Sequence, residues 1–223
     1  AVNGNSIAVL SERDWTALDW GGLSIDLVIE CTGVGNSRDM AARHLQAGAK
    51  KVLISAPSTD ADVMVVLGVN HTKYDPEIHH IISNASCTTN GLAPPLKVLH
   101  DRFGIVKGQM TTVHSFTNSQ SVLDLQARDL RDARAASSNI VPASTGAARA
   151  IGVIIPELKG KLDGASYRVP TPTVSIVEFV ALLSESTTSE VINHALRSAA
   201  NGPMKGILDV SDEPLVSLDL KSN

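Results

Sequence analysis

Residues 83–91, SNASCTTNG, set Cys87 among Ser86, Thr88, Thr89 and Asn90, directly ahead of an apolar periodic segment. A cysteine needed only to fill space could be Ala or Val, and one meant for a disulfide would need a partner. Small hydroxyl side chains serve neither purpose. A thiol at a helix start feels the positive end of the helix dipole and free backbone N–H donors, which favour the nucleophilic thiolate. Ser86 and Thr88 leave room for a substrate and offer it donors. A thiolate nucleophile also needs a proton acceptor. His114, in TTVHSFTN, stands one helix and one strand further along, and that connection returns the chain to the same end of a sheet. The spacing of the other histidines suggests no metal site.

Two anion-binding signals accompany this pair. Ser144, Thr145 and Gly146 precede AARAIG, so their hydroxyls and backbone N–H groups face a helix N-terminus. That arrangement caps a helix and can also cradle phosphate. Arg168 sits inside the apolar run SYRVPT, where a charge must be paired or functional. In an open α/β sheet, ligands gather at the carboxyl ends of the strands. Here those ends are Cys31–Thr32–Gly33 and Ser55–Ala56–Pro57, with Cys31 itself read as a packing residue.

The elements that must position these groups follow from periodicity. IDLVIECTG (25–33) and KKVLISAP (50–57) are short apolar runs predicted as buried parallel strands. Between them lies a helix capped by Ser37 and stopped by Gly48. MVVLGV (64–69) and HHIISN (79–84) read as two more strands. LAPPLKVLHDRF repeats Leu92, Leu96, Leu99 and Phe103 at helical spacing, with Pro94 and Pro95 suited to a first turn or a kink. QMTTVHSF (109–116) is a strand. Residues 117–140 mix charged and small side chains without a clean period, and fit either a solvated amphipathic helix or a long loop. STGAARAIGVIIPEL (144–158) is a capped helix, and 164–183 reads as two strands joined by a Pro-rich turn. T-T-S-E (187–190) is read as a capping box before a helix that ends near Gly202. GILDV and LVSLDL read as closing strands. The fold class expected is α/β: a parallel sheet in the first third of the chain, then a mixed α+β domain with longer strands.

Composition narrows the function. A chain of 223 residues with net charge −4 has no basic footprint, so nucleic acid is not an expected partner. No apolar run reaches the roughly 18 residues that span a bilayer, so no membrane is expected. Two cysteines, Cys31 and Cys87, do not make a disulfide scaffold and suggest a reducing compartment.

ECTG, AGAKKVLISAP, SNASCTTN, KVLHDRFGI, MTTVHSFTN, NIVPASTGAARAIG and YRVPTPTVS together resemble the phosphorylating glyceraldehyde-3-phosphate dehydrogenase family over essentially the whole chain. The resemblance implies a partial Rossmann-type parallel sheet, the C-terminal half of a dinucleotide-binding domain, over residues 1–86 and an α+β catalytic domain with a mixed sheet over 87–223, with Cys87 as the nucleophile and His114 its base. It implies that Thr117 and Arg168 hold the substrate's phosphate, and that Ser86, Thr88, Thr145 and Gly146 hold the attacking inorganic phosphate. Thr32, Gly33, Ser55 and Asn118 match cofactor-binding positions. Residues 117–138 match a loop packed near cofactors across a subunit interface, which favours the loop over the helix and implies a homotetramer. The substrates implied are glyceraldehyde 3-phosphate and inorganic phosphate, with NAD as cofactor and NADP as the alternative. The setting implied is glycolysis, gluconeogenesis or carbon fixation, in the cytoplasm or in a plastid.

The sequence also departs from the family. The glycine-rich turn and the acidic residue for pyrophosphate and ribose do not occur in it, nor do the family's last helix and an Asn for the nicotinamide amide. The chain is therefore expected to be a fragment. Pro95, Ser119 and Gln126 stand where the family more often shows other residues. Erythrose-4-phosphate dehydrogenase is a competing reading, but it usually departs from the STGAA and TN patterns kept here. A binding protein without catalysis is another.

Overall fold

The computed structural model describes residues 2–223, which form two compact units. The first comprises the residues up to Met64 together with Lys73–Ala85. Val65–Thr72 and Ser86–Asn223 make up the second.

In the first unit, strands β1 (Leu27–Glu30), β2 (Lys51–Ile54), β3 (Val63–Met64) and β4 (Ile81–Ser83) form one sheet in the order β1-β2-β4-β3. Every pairing is parallel. Helix α1 (Arg38–Gln46) connects β1 to β2. Its start is set by Ser37, whose hydroxyl accepts a bond from the Met40 N–H. Just past its C-cap, Ala47, the chain turns at Gly48, which has φ +101, and a Cβ there would lie 2.6 Å from the Gly21 backbone nitrogen. Glycine is thus required twice over, for the left-handed backbone and for the close approach. Ala41 packs from α1 onto Val52, Ile54 and Ile81 to make the core.

The second unit holds α2 (Cys87–Phe103), β5 (Ile105–Ser115), β6 (Val141–Ala143), α3 (Ala147–Ile154), β7 (Leu162–Val169), β8 (Ser175–Leu183) and α4 (Ser189–Ala200). Its sheet runs β6-β7-β5-β8. The β5–β7 pair is parallel, whereas β6 and β8 run antiparallel to their neighbours. Leu92, Leu96, Ile105, Met110, Ile151 and Leu158 are buried in this unit's core. A parallel sheet followed by a mixed one is the fold class the sequence predicts.

Several details differ from the sequence reading. Strand β1 is shorter than 25–33 and is not fully buried: Leu27 and Ile29 are exposed. It pairs on one edge only, with β2, among the described residues. The β-branched run at 64–69 keeps only Val63–Met64 as strand, and Gly68, at φ +76, lies in the turn that follows. Pro94 and Pro95 lie in the interior of a continuous α2 rather than in its first turn. An interior proline costs about 3 kcal/mol in an isolated helix; here burial of Leu92, Ala93, Pro94 and Leu96 offsets it. Helix α3 is shorter than expected, beginning after Gly146 and giving way to a 3-10 turn at Pro156–Leu158. Thr188, not Thr187, caps α4, accepting from the Val191 N–H. GILDV and LVSLDL are not strands: residues 206–210 are turn and coil, and Ser217–Leu220 is a 3-10 turn. Their β-branched content is local propensity without a sheet partner, which tertiary context overrides.

Candidate active site

Cys87 is the first residue of α2, and the structure shows why His114 comes level with it. Gly104, at φ +65, ends α2 and its N–H donates to the His100 carbonyl. Strand β5 begins at the next residue. The 17-residue helix runs roughly 25 Å, and the strand from Ile105 to His114 returns roughly 30 Å. Helix N-terminus and strand C-terminus therefore meet. In the parallel β5–β7 register Arg168 is the direct partner of His114, and paired residues of adjacent strands share a face. One helix start and two strand ends thus gather a thiol, an imidazole and a guanidinium.

Cys87 Sγ lies 3.3 Å from His114 Nε2. On the other side of the ring, His114 Nδ1 lies 2.7 Å from the Ser115 carbonyl oxygen. A carbonyl only accepts, so Nδ1 carries a proton in that bond. Nε2 is then either the acceptor for the thiol proton or, once that proton has moved, the donor to the thiolate. The directions of titration agree with the second state. The bond to His114 holds the Cys87 thiol down to about 7, against the opposing effect of burial. The bond to Cys87 raises His114 above the ordinary imidazole value, while burial and the Arg168 charge oppose the rise. Each partner favours the other's charged form, which is an ion pair in the making.

Arg168 Nη1 donates to the Ser115 carbonyl at 3.0 Å and also crowds His114 Nδ1. Its charge works against protonation of the ring, so an anion bound by this guanidinium would ease the ion pair.

The other expected site residues fall in four places. Ser86 caps α2: its Oγ accepts from the Thr89 N–H at 3.0 Å and lies 2.7 Å from Thr89 Oγ1. Thr88 is buried beside Cys87. Thr145 Oγ1 accepts from the Ala147 N–H at 3.2 Å at the start of α3, and Gly146 is its N-cap. A Cβ at Gly146 would meet nothing within 4 Å, so the backbone there is open. Beyond β5, the Thr117 hydroxyl bonds Ser119, and Asn118 is exposed in an irregular segment that contains no regular helix. Thr32, Gly33 and Ser55 belong to the first unit, at the carboxyl ends of β1 and β2. So Cys87, His114 and Arg168 come into contact, whereas the phosphate residues are distributed over two helix starts and one loop.

Cys31 is exposed and so is not the packing residue expected from its apolar neighbours, because β1 ends one residue before it. Both cysteines are therefore accessible, and selectivity between them must come from ionisation. Limiting iodoacetamide at neutral pH should modify Cys87 before Cys31, as read by peptide mass spectrometry. Equal labelling of the two in folded protein would remove the thiolate from the account.

Sequence reasoning missed Glu30, His44 and Trp20, which form a buried polar chain in the first unit. The signal was present: Glu30 ends an apolar strand, as Arg168 interrupts one.

Residues 86–223 match the family model described as glyceraldehyde 3-phosphate dehydrogenase, C-terminal domain. A glyceraldehyde-3-phosphate dehydrogenase of Geobacillus stearothermophilus is 58% identical over 218 residues, 98% of this chain and 65% of the relative. A glyceraldehyde-3-phosphate dehydrogenase of Priestia megaterium and the glyceraldehyde-3-phosphate dehydrogenase 1 of Bacillus subtilis are each 56% identical over 222 residues, 100% of this chain and 66% of the relative. The chain thus spans 65% to 66% of the length of the curated relatives it matches. The family match covers the whole stretch that brings Cys87, His114 and Arg168 together, and this chain belongs to the glyceraldehyde 3-phosphate dehydrogenase family.

Proposed function

We propose that this protein oxidises glyceraldehyde 3-phosphate and captures the product with inorganic phosphate as 1,3-bisphosphoglycerate, with NAD as the preferred cofactor. The observation that carries the reading is the 3.3 Å contact of Cys87 Sγ with His114 Nε2 at a helix start. The thiolate of Cys87 adds to the aldehyde carbon to give a thiohemiacetal, and His114 manages the proton of the alkoxide that forms. When bound, the nicotinamide supplies the hydride acceptor that leaves a thioester on Cys87. Inorganic phosphate attacks that thioester, the C–S bond breaks, and Cys87 leaves as the thiolate that His114 stabilises. Arg168 and Thr117 hold the substrate's own phosphate. Ser86, Thr88, Thr145 and Gly146 hold the attacking one, through the donors of two helix N-termini.

A dinucleotide fits the first unit in one checkable respect. Gly33 has φ +78 and no atom within 4 Å of where a Cβ would stand, so the backbone after β1 is open to a ligand. The preference for NAD rests on the resemblance, in which the 117–138 loop packs near cofactors across a subunit interface, and on that loop's exposed Leu125. Its bulk would crowd a 2′-phosphate, and one neutral donor, Gln126, would not replace the hydration of a dianion. Assembly into a homotetramer through residues 117–138 belongs to the same reading.

The test is phosphate dependence. With glyceraldehyde 3-phosphate and NAD but no phosphate, reduced nicotinamide should appear as a burst equal to the number of Cys87 sites and then stall. Added phosphate should restore steady turnover, faster with NAD than with NADP. Equal turnover without phosphate would mean a hydrolytic dehydrogenase and overturn the proposal.

A further inference from the structure

Glu30 is 3% exposed and His44 is 4% exposed, yet neither takes part in the chemistry proposed above. A buried carboxylate needs donors on all sides, and here each one can be named. Thr32 donates twice to Oε1, from its backbone N–H at 2.6 Å and from its hydroxyl at 2.5 Å. His44 Nε2 lies 3.3 Å from Oε2. The indole N–H of Trp20 donates to His44 Nδ1 at 3.1 Å, so Nδ1 is the acceptor and the ring proton is on Nε2, facing Glu30. Trp15 stacks on the same ring, with centroids 4.7 Å apart. Burial alone would push the Glu30 carboxyl up; the Thr32 and His44 bonds outweigh it and hold the group below its ordinary value.

The loop after β1 is folded over this carboxylate. The Thr32 hydroxyl, already bonded to Glu30, also accepts from the Val34 N–H at 3.1 Å. Gly35 is buried against the side chain: a Cβ there would lie 2.6 Å from Glu30 Cγ. The exposed segment 31–34 is thus shaped from beneath, and Gly33 gets its open left-handed backbone as part of that shape.

We infer that Glu30, oriented by His44 and Trp20, is a positioning residue that fixes the Thr32–Gly33 backbone for the dinucleotide. The inference rests on the reading of Thr32 and Gly33 as cofactor-binding residues. Its chemistry is specific, because both carboxylate oxygens face donors. An amide at this position would turn its NH₂ toward either Thr32 or the His44 Nε2–H, and one of those contacts would become donor against donor. Trp20 matters because without its indole N–H the ring can take the other tautomer and present a bare lone pair to Glu30.

The test uses isothermal calorimetry with NAD, steady-state kinetics, and the iodoacetamide rate at Cys87 on the whole protein. Glu30→Gln should weaken NAD binding roughly tenfold or more, the effect of one unmade buried hydrogen bond. It should raise the NAD KM to match while kcat holds within about twofold, and leave Cys87 alkylation in the absence of NAD unchanged. Trp20→Phe, a milder change, should weaken binding in the same direction. Thr32→Val should weaken it too, and the Glu30→Gln, Thr32→Val double variant should lose less than the sum, since both act through one contact. Thr32→Ser, which keeps the hydroxyl, should bind like wild type. If Thr32→Val weakens binding but folded Trp20→Phe and Glu30→Gln do not, the positioning inference is wrong and the cofactor reading stands. If the wild type fails to bind NAD, or Thr32→Val binds like wild type, the cofactor reading itself is wrong.

Discussion

Cys87→Ser is expected to remove nearly all dehydrogenase activity, and His114→Asn to slow acylation by roughly 10²- to 10⁴-fold, the usual worth of a positioned base. The two losses have different causes. Serine keeps the position at the start of α2 but not the acidity: nothing in this site brings a hydroxyl down as the His114 contact brings the thiol down to about 7. Asparagine at 114 can still meet the Ser115 carbonyl through its amide N–H, so the end of β5 should hold its shape. What it cannot do is take up the thiol proton. Single-turnover measurements should therefore show the His114→Asn defect in thioester formation, with substrate binding little changed. A variant that lost binding and acylation alike would point to a collapsed strand end.

Arg168→Ala should raise the KM for glyceraldehyde 3-phosphate by roughly 10- to 10²-fold, the scale of one or two charge-assisted hydrogen bonds. The KM for unphosphorylated glyceraldehyde should change by only a few-fold. The warrant is position: Arg168 is the direct neighbour of His114 across a parallel pair and shares with it the Ser115 carbonyl. A guanidinium there can reach a phosphate on a substrate whose aldehyde carbon lies at Cys87. Its removal has a second consequence of known sign. The Arg168 charge opposes protonation of His114, so in Arg168→Ala the imidazole should titrate higher than in wild type. Equal damage to both substrates would make Arg168 a structural residue and take the substrate phosphate away from this corner.

The contact of Cys87 with His114 was legible in sequence because it depends on things sequence displays. One helix and one strand separate the two residues, and that connection returns the chain to the same end of a sheet; the matching lengths came only with the fold, where the strand read as 109–116 begins at Ile105. Arg168 was legible as a charge in an apolar strand, but its register opposite His114 was not, since pairing across a crossover follows from the packing of α3 and not from local pattern. Glu30 interrupts the apolar run 25–33 as Arg168 interrupts its own, so it carried the same signal, but nothing in the local pattern shows which groups meet it. Gly35 folds back over it and His44 reaches it from α1, with Trp20 holding the far side of that ring from outside any periodic element. The two closing strands failed for the opposite reason: their residues favour β-structure, but no strand edge receives them. The charged segment 117–140 could not be assigned by period at all, and only the family resemblance spoke for a loop.

The central claim is that Cys87 is activated as an ion pair with His114, and the most direct measurement is the pH dependence of Cys87 alkylation in wild type and in His114→Asn. The thiol pKa is depressed, so the reactive thiolate is present above the folded value and lost as pH falls through it. The wild-type rate should climb through an inflection near 7 and level off above it. In His114→Asn the inflection should move up toward the free-thiol value of roughly 8.5. Superimposable profiles for the two proteins would show that His114 does not set the state of the thiol, and would contradict the account.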